Sequence, residues 1–231
     1  MKITVFHGSP RKGNTYQATR IFMDELSQRQ DVQVTEFFLP AALPVFCTGC
    51  QLCMSAHQAR CPHAFYVSPI YDAVMTADAL VFATPHHGGS SMSAGMKSLL
   101  DHLDFLTLTV TPRQALFTKK AFIITTAAGA TAAVGQIARF LKNWGMNRVY
   151  FVGIRMFTSK WQAMPLKKQA RLEKKLRKKA NRFYDATVGA PYITTIFMYY
   201  MSKWILKKMM GKEAYPYQYW EEQGYFKKRP F

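Results

Sequence analysis

The chain has 231 residues, 49% of them apolar and 19% charged, so a buried core is within reach and wholesale disorder is excluded. Lysine and arginine total 31 against 13 acidic residues, a net charge of +18 that points to anionic ligands or surfaces and says nothing about fold. All four cysteines lie between 47 and 61, which excludes a scattered disulfide framework and poses one local cysteine site.

Residues 2–7 read as a short buried strand, ended by Gly8-Ser9-Pro10. The run Ile3-Thr4-Val5-Phe6 is too short for a signal core, so the expected address is cytoplasmic. Residues 14–29 carry Ala18, Ile21, Phe22 and Leu26 at helical spacing. Residues 32–39 are strand-like, after which Pro40 and Pro44 open a long loop that carries the cysteines. A short helix is expected over 70–76, then a buried strand over 79–83 stopped by Thr84-Pro85. A Gly/Ser loop over 87–91 leads to a helix over about 93–105. Residues 122–126 form a third buried strand, followed by a small-residue loop, a helix over 133–143 and a last strand over 149–154.

Strands alternating with helices at this rhythm predict a three-layer α/β domain with a five-stranded parallel sheet over residues 1–160. Ligands of such sheets bind beyond the carboxyl ends of the strands. Small polar loops fall there three times, at 8–15, 85–93 and 126–131. In the first, a helix start offers free amides and the positive end of its dipole to a phosphate. Ser9, Arg11, Asn14 and Thr15 add side-chain donors, and Gly13 permits close approach. Neither the Gly-x-Gly-x-x-Gly dinucleotide pattern nor a nucleoside-triphosphate loop is present. An ordinary capped turn is the plain alternative.

Residues 161–231 read as a basic helical extension, with 16 Lys and Arg against 5 Asp and Glu. A helix over 166–184 has Leu172, Leu176, Ala180 and Phe183 on one face and lysines and arginines on the rest, which suits a helix packed on the sheet. Residues 193–210 are rich in aromatics and methionine and read as a homodimer surface or an arm over the site, with contact to an anionic membrane surface as the less favoured reading. No nucleic-acid-binding module is recognisable.

Gly-Ser-Pro-Arg-Lys-Gly-Asn-Thr at 8–15 resembles the phosphate loop of the flavodoxin-like NADPH-dependent FMN reductase family. Thr84 to Ser93, followed by Lys97 and Asp101, resembles that family's second flavin loop. The resemblance covers roughly residues 1–155 and implies a flavodoxin-like fold, FMN as cofactor, NAD(P)H as donor, and a quinone, another small acceptor or a redox protein as acceptor. It implies that Ser9, Arg11, Asn14 and Thr15 hold the FMN phosphate. Pro85, His86, His87, Gly88 and Met92 would border the isoalloxazine, with Thr126, Ala127 and Gly129 closing the other side. His86-His87 stand where the family usually carries an apolar residue and an aromatic, and His102 where an arginine is common. His87 is the candidate catalytic proton donor, since an imidazole exchanges a proton near neutral pH.

The cysteines follow the spacing Cys47-x2-Cys50-x2-Cys53-x7-Cys61-Pro62, which lets four thiolates converge on one soft metal centre. Within flavodoxin-like proteins the spacing resembles the iron–sulfur flavoproteins, which implies a 4Fe-4S cluster on these four residues. Zinc, with His57 and His63 nearby, and bare thiols are the alternatives. An electron carrier with a cluster, or a flavin-free binding protein on the same fold, are the other functional readings.

Overall fold

The computed structural model describes residues 1–29, 31–87, 91–128 and 132–231. In chain order the elements open with β1 (Lys2–His7), α1 (Asn14–Ser27), β2 (Gln33–Phe38), a one-turn α2 (Leu52–Ser55) and α3 (Ala64–Thr76). They continue with β3 (Ala79–His87), a two-residue β4 (Ser91–Met92), α4 (Ala94–His102), a one-turn α5 (Gln114–Phe117), β5 (Lys120–Ala127), α6 (Ala132–Asn143) and β6 (Arg148–Arg155). The extension holds α7 (Leu166–Asp185), α8 (Ile193–Met209) and α9 (Tyr215–Glu222).

Five strands are parallel in the order β2-β1-β3-β5-β6, and β4 adds a short antiparallel sixth on β3. This is the parallel sheet the alternating pattern predicts, in the flavodoxin-like order that the resemblance implies. Successive strand residues face opposite sides, so each buried strand feeds two cores. Ile3, Val5, Phe122 and Ile124 meet Phe22 of α1 and Phe183 of α7 on one face. Phe6, Leu80, Phe82 and Ile123 meet Val74, Leu99 and Ile137 of α3, α4 and α6 on the other. Leu176, Ala180 and Phe183 are buried, as the expected helix face requires, and Arg177 and Asn181 bond Glu25 of α1 at 3.0 and 2.7 Å. Lys120 Nζ donates to the carbonyls of Tyr184 and Ala186, at 2.7 and 2.9 Å, satisfying the open end of α7.

Two elements run longer than the sequence suggests. α3 begins at Ala64 and passes through Pro69, which is exposed and sits in the second turn, while Val67, Ile70 and Val74 bury the other face. One lost helical hydrogen bond does not outweigh that burial. β3 passes through Pro85 to His87. The carbonyl of Ala83 accepts from Gly8 on the β1 side, so Pro85, two residues on, aims its missing N–H to the same side, past the end of β1. No ladder bond is lost there.

α8 and α9 share a small aromatic cluster of their own: Tyr199, Leu206, Tyr219, Trp220 and Tyr225. Tyr219 ties it to the body by donating its hydroxyl to the carbonyl of Pro112 at 3.0 Å.

Candidate functional site

The strand order reverses between β1 and β3, whose following connections leave in opposite directions. The loop after β1 crosses this point. Gly8 N–H donates to Ala83 at 2.7 Å, pinning the loop to β3. A Cβ on Gly8 would lie 2.7 Å from Ser93 Oγ and 2.9 Å from Thr84 Oγ1, so the first loop packs directly on the second and glycine is required there. Ser93 caps α4 by accepting from Met96 N–H at 3.3 Å, and its own N–H donates to Thr84 Oγ1 at 3.1 Å.

The next helix opens differently. Gly13 is the N-cap of α1 and offers no side chain to the first-turn amides. Among the described residues no side chain caps those amides, and Arg11 and Lys12 stand exposed beside them. Arg11 N–H donates to Ser9 Oγ at 3.2 Å, curling the loop. Thr15 and Asn14 also position the loop. The Thr15 hydroxyl bonds that of Thr126 at 2.6 Å, joining α1 to the end of β5. Asn14 Nδ2 donates to the carbonyl of Thr158 at 2.8 Å. The second Nδ2 hydrogen of Asn14 and one hydroxyl of the Thr15–Thr126 pair stay available to an anion, with the backbone amides, Ser9 and Arg11.

Beside this loop lies a cleft of about 270 Å³ lined by Ser9, Arg11, Pro44, Phe46, His87 and Ser98, among others. Larger surface hollows occur between α6 and α8 and around Arg113, away from the carboxyl ends of the strands. His87 is exposed at the cleft and pairs in register with Ser91 in the β3–β4 hairpin. Both ring nitrogens of His86 are buried and have no partner among the described residues. Pro85 pairs with Thr126, Met92 is buried and donates its N–H to Gln136 at 3.3 Å, and the carbonyl of Ala127 accepts from Met156 at 2.7 Å. Gly88 and Gly129 lie outside the described residues.

These residues fit FMN: amides and cations at an anionic end, an apolar wall from Leu43 to Phe46, and the exposed His87 as a polar group at the cleft. The wall was not foreseen from sequence, where this segment drew notice only for its cysteines. Pro40 and Pro44, framing Leu43, were the available signal.

The cysteine loop is another matter. Cys47 and Cys50 are exposed, and Cys53 and Cys61 are half-buried. Burial, with the neighbouring thiols adding repulsion, pushes the Cys53 thiol up to about 11. Burial raises Cys61 as well, partly offset by the backbone amide of His63. Among the described residues no three His, Cys, Asp or Glu side chains stand where they could hold a metal ion. His63 is engaged elsewhere: its Nδ1 lies 2.8 Å from His102 Nε2. His102 Nδ1 faces the carbonyl of Ser98 at 2.8 Å, so His102 carries its proton on Nδ1 and His63 donates to it. His57 Nδ1 accepts from Ala59 N–H at 3.2 Å.

The thiolate is the reactive form, so a raised value slows alkylation at a given pH. With iodoacetamide at about pH 8, peptide mapping should show Cys47 and Cys50 modified first and Cys53 last. The Cys53 rate should keep climbing as the pH approaches about 11. Equal protection of all four until a chelator is added would show them sharing a guest instead.

The family model for NADPH-dependent FMN reductase matches residues 1–160. No curated protein matches the chain. Among solved structures, an azoreductase from Bacillus anthracis str. Sterne is 16% identical, with 79% of this chain and 100% of that one covered and a TM-score of 0.62. An NAD(P)H:quinone oxidoreductase from Methanothermobacter marburgensis is 14% identical, covering 80% and 98%, also with a TM-score of 0.62. At such identities the likeness is one of fold.

Proposed function

Because the chain belongs to the NADPH-dependent FMN reductase family, a group of NAD(P)H-dependent FMN oxidoreductases, we propose that it passes hydride from NAD(P)H by way of FMN to a quinone or another small oxidised acceptor. Bound FMN supplies the two-electron chemistry. The protein's part is to bind, orient and manage protons. The opening of α1, with Ser9 and Arg11, binds the phosphate. Phe46 and Pro44 shield one side of the ring from water. His87, at the mouth of the cleft, delivers a proton to the acceptor.

The observation that supports this reading most is the uncapped opening of α1, flanked by Arg11 and Lys12, at the point where the strand order reverses. The Methanothermobacter neighbour, an NAD(P)H:quinone oxidoreductase, and the cleft's apolar wall support this acceptor.

The test is anaerobic mixing of the FMN-loaded protein with NADPH or NADH, then with a benzoquinone. Flavin absorbance should bleach with at least one nucleotide and return on adding the quinone. Failure of both nucleotides to bleach it overturns the reading. His87→Phe should keep FMN and slow the quinone step by roughly 10- to 100-fold, with a flatter pH profile. An unchanged profile removes His87 from the chemistry.

A further inference from the structure

α8 lies outside the part of the chain that the family model covers, and it is apolar on two opposite faces. Thr195, Tyr199, Ser202 and Leu206 are buried, Tyr199 and Leu206 against the aromatic residues of α9. At 100° per residue, Ile193, Phe197, Tyr200 and Trp204 fall on the face diametrically opposite. There they are 83, 65, 52 and 58% exposed, an unbroken stripe of four large side chains. Met209, at the end of the helix, is exposed too. Surface helices normally turn charge to water on that side. A contiguous apolar patch rimmed by polar residues marks a surface that something covers.

The charge around the stripe says what. Residues 186–212 contain no acidic residue, and Lys203, Lys207, Lys208 and Lys212 lie on or just beyond α8. The last 72 residues carry 17 basic and 5 acidic side chains, a net of +12. A second copy would bring the same positive field face to face with itself. An anionic lipid surface is complementary to it, and Trp and Tyr favour the boundary between headgroups and acyl chains. Among the described residues no helix is long and apolar enough to cross a membrane, so α8 would lie in the surface plane.

We propose that α8 seats this protein on anionic phospholipid bilayers, with Ile193, Phe197, Tyr200 and Trp204 inserted at the headgroup boundary and the neighbouring lysines on the phosphates.

The test is flotation of the full chain with vesicles of phosphatidylcholine alone or with about one-third phosphatidylglycerol. Binding should appear with the anionic vesicles, weaken in high salt, and fall at least about 10-fold in the double variant Phe197→Gln, Trp204→Gln. Of the four tryptophans, Trp144, Trp161 and Trp220 are buried, so a blue shift of fluorescence on binding reports Trp204. Both substituted residues are solvent-facing, so the thermal midpoint and flavin binding should be unchanged. Equal flotation of wild type and double variant would mean charge alone is at work and overturns the proposal. So would absence of flotation together with a dimer, seen by analytical ultracentrifugation, that the same substitutions dissociate.

Discussion

Ser9→Glu should strip the protein of FMN while leaving riboflavin binding as it was. Ser9 is half-buried between Gly8, whose amide is fixed to β3, and Arg11, whose amide bonds the Ser9 hydroxyl. A carboxylate there stands beside the anionic end that the opening of α1 is arranged to receive. Two unit charges about 4 Å apart near a protein surface repel by about 4 kcal/mol, and partial solvent screening brings that to about 3. At about 1.4 kcal/mol per decade, FMN binding should weaken by about 100-fold or more. The carboxylate can also occupy the anion site itself, stabilising α1 by about 0.3–1 kcal/mol, so the FMN-free protein should melt no lower than wild type. Riboflavin, which lacks the phosphate, is the internal control. Fluorescence titration with both flavins decides the matter: FMN affinity retained in Ser9→Glu places the phosphate elsewhere.

How much of this was legible in the sequence depends on the range over which each feature is determined. β1, β3 and β5 are short apolar runs bounded by small polar loops, a local signal, and they fall where expected. So does the side of the sheet on which those loops gather, which the alternation of strand and helix dictates. What escaped is settled by partners far along the chain. Thr15 and Asn14 read as donors to an anion, and what sequence does not show is that their side chains also bond Thr126 and Thr158, 111 and 144 positions away. Pro85 reads as a stop, and only the end of β1 beside it makes it harmless. The stripe on α8 is hidden in the sequence, because its exposed face is more apolar than its buried one, the reverse of what periodicity is read to mean.

Trp220→Ala should loosen the extension without dismantling the sheet. Trp220 is fully buried, stacks on Tyr199 at 5.4 Å between ring centres, and meets Tyr225 and Phe226 at 6.0 and 5.7 Å. Truncating a buried tryptophan costs about 3–5 kcal/mol. That loss falls on a cluster of five buried residues that shares no member with the two cores of the sheet. Its ties to the body are polar or ring-edge contacts: the Tyr219 hydroxyl on Pro112, the Arg113 guanidinium 4.6 Å from the centre of the Tyr219 ring, Phe231 against Phe117 at 5.2 Å, Tyr215 against His57 at 6.2 Å and Lys142 5.4 Å from the centre of the Tyr192 ring. A unit so lightly attached opens by itself before the whole protein unfolds. α7 behaves otherwise, because its Leu176, Ala180 and Phe183 are part of the sheet's own core. Limited proteolysis of Trp220→Ala should therefore cut after residue 186 and leave a fragment that still binds FMN and melts near the wild-type midpoint. Trp220→Phe is the milder probe. The indole N–H has no partner among the described residues, so replacing it removes an unpaired buried donor, and the net cost should stay below about 1.5 kcal/mol. A single cooperative transition in Trp220→Ala, with flavin lost at the same temperature, would show instead that α8 and α9 fold as one unit with the flavin-binding sheet.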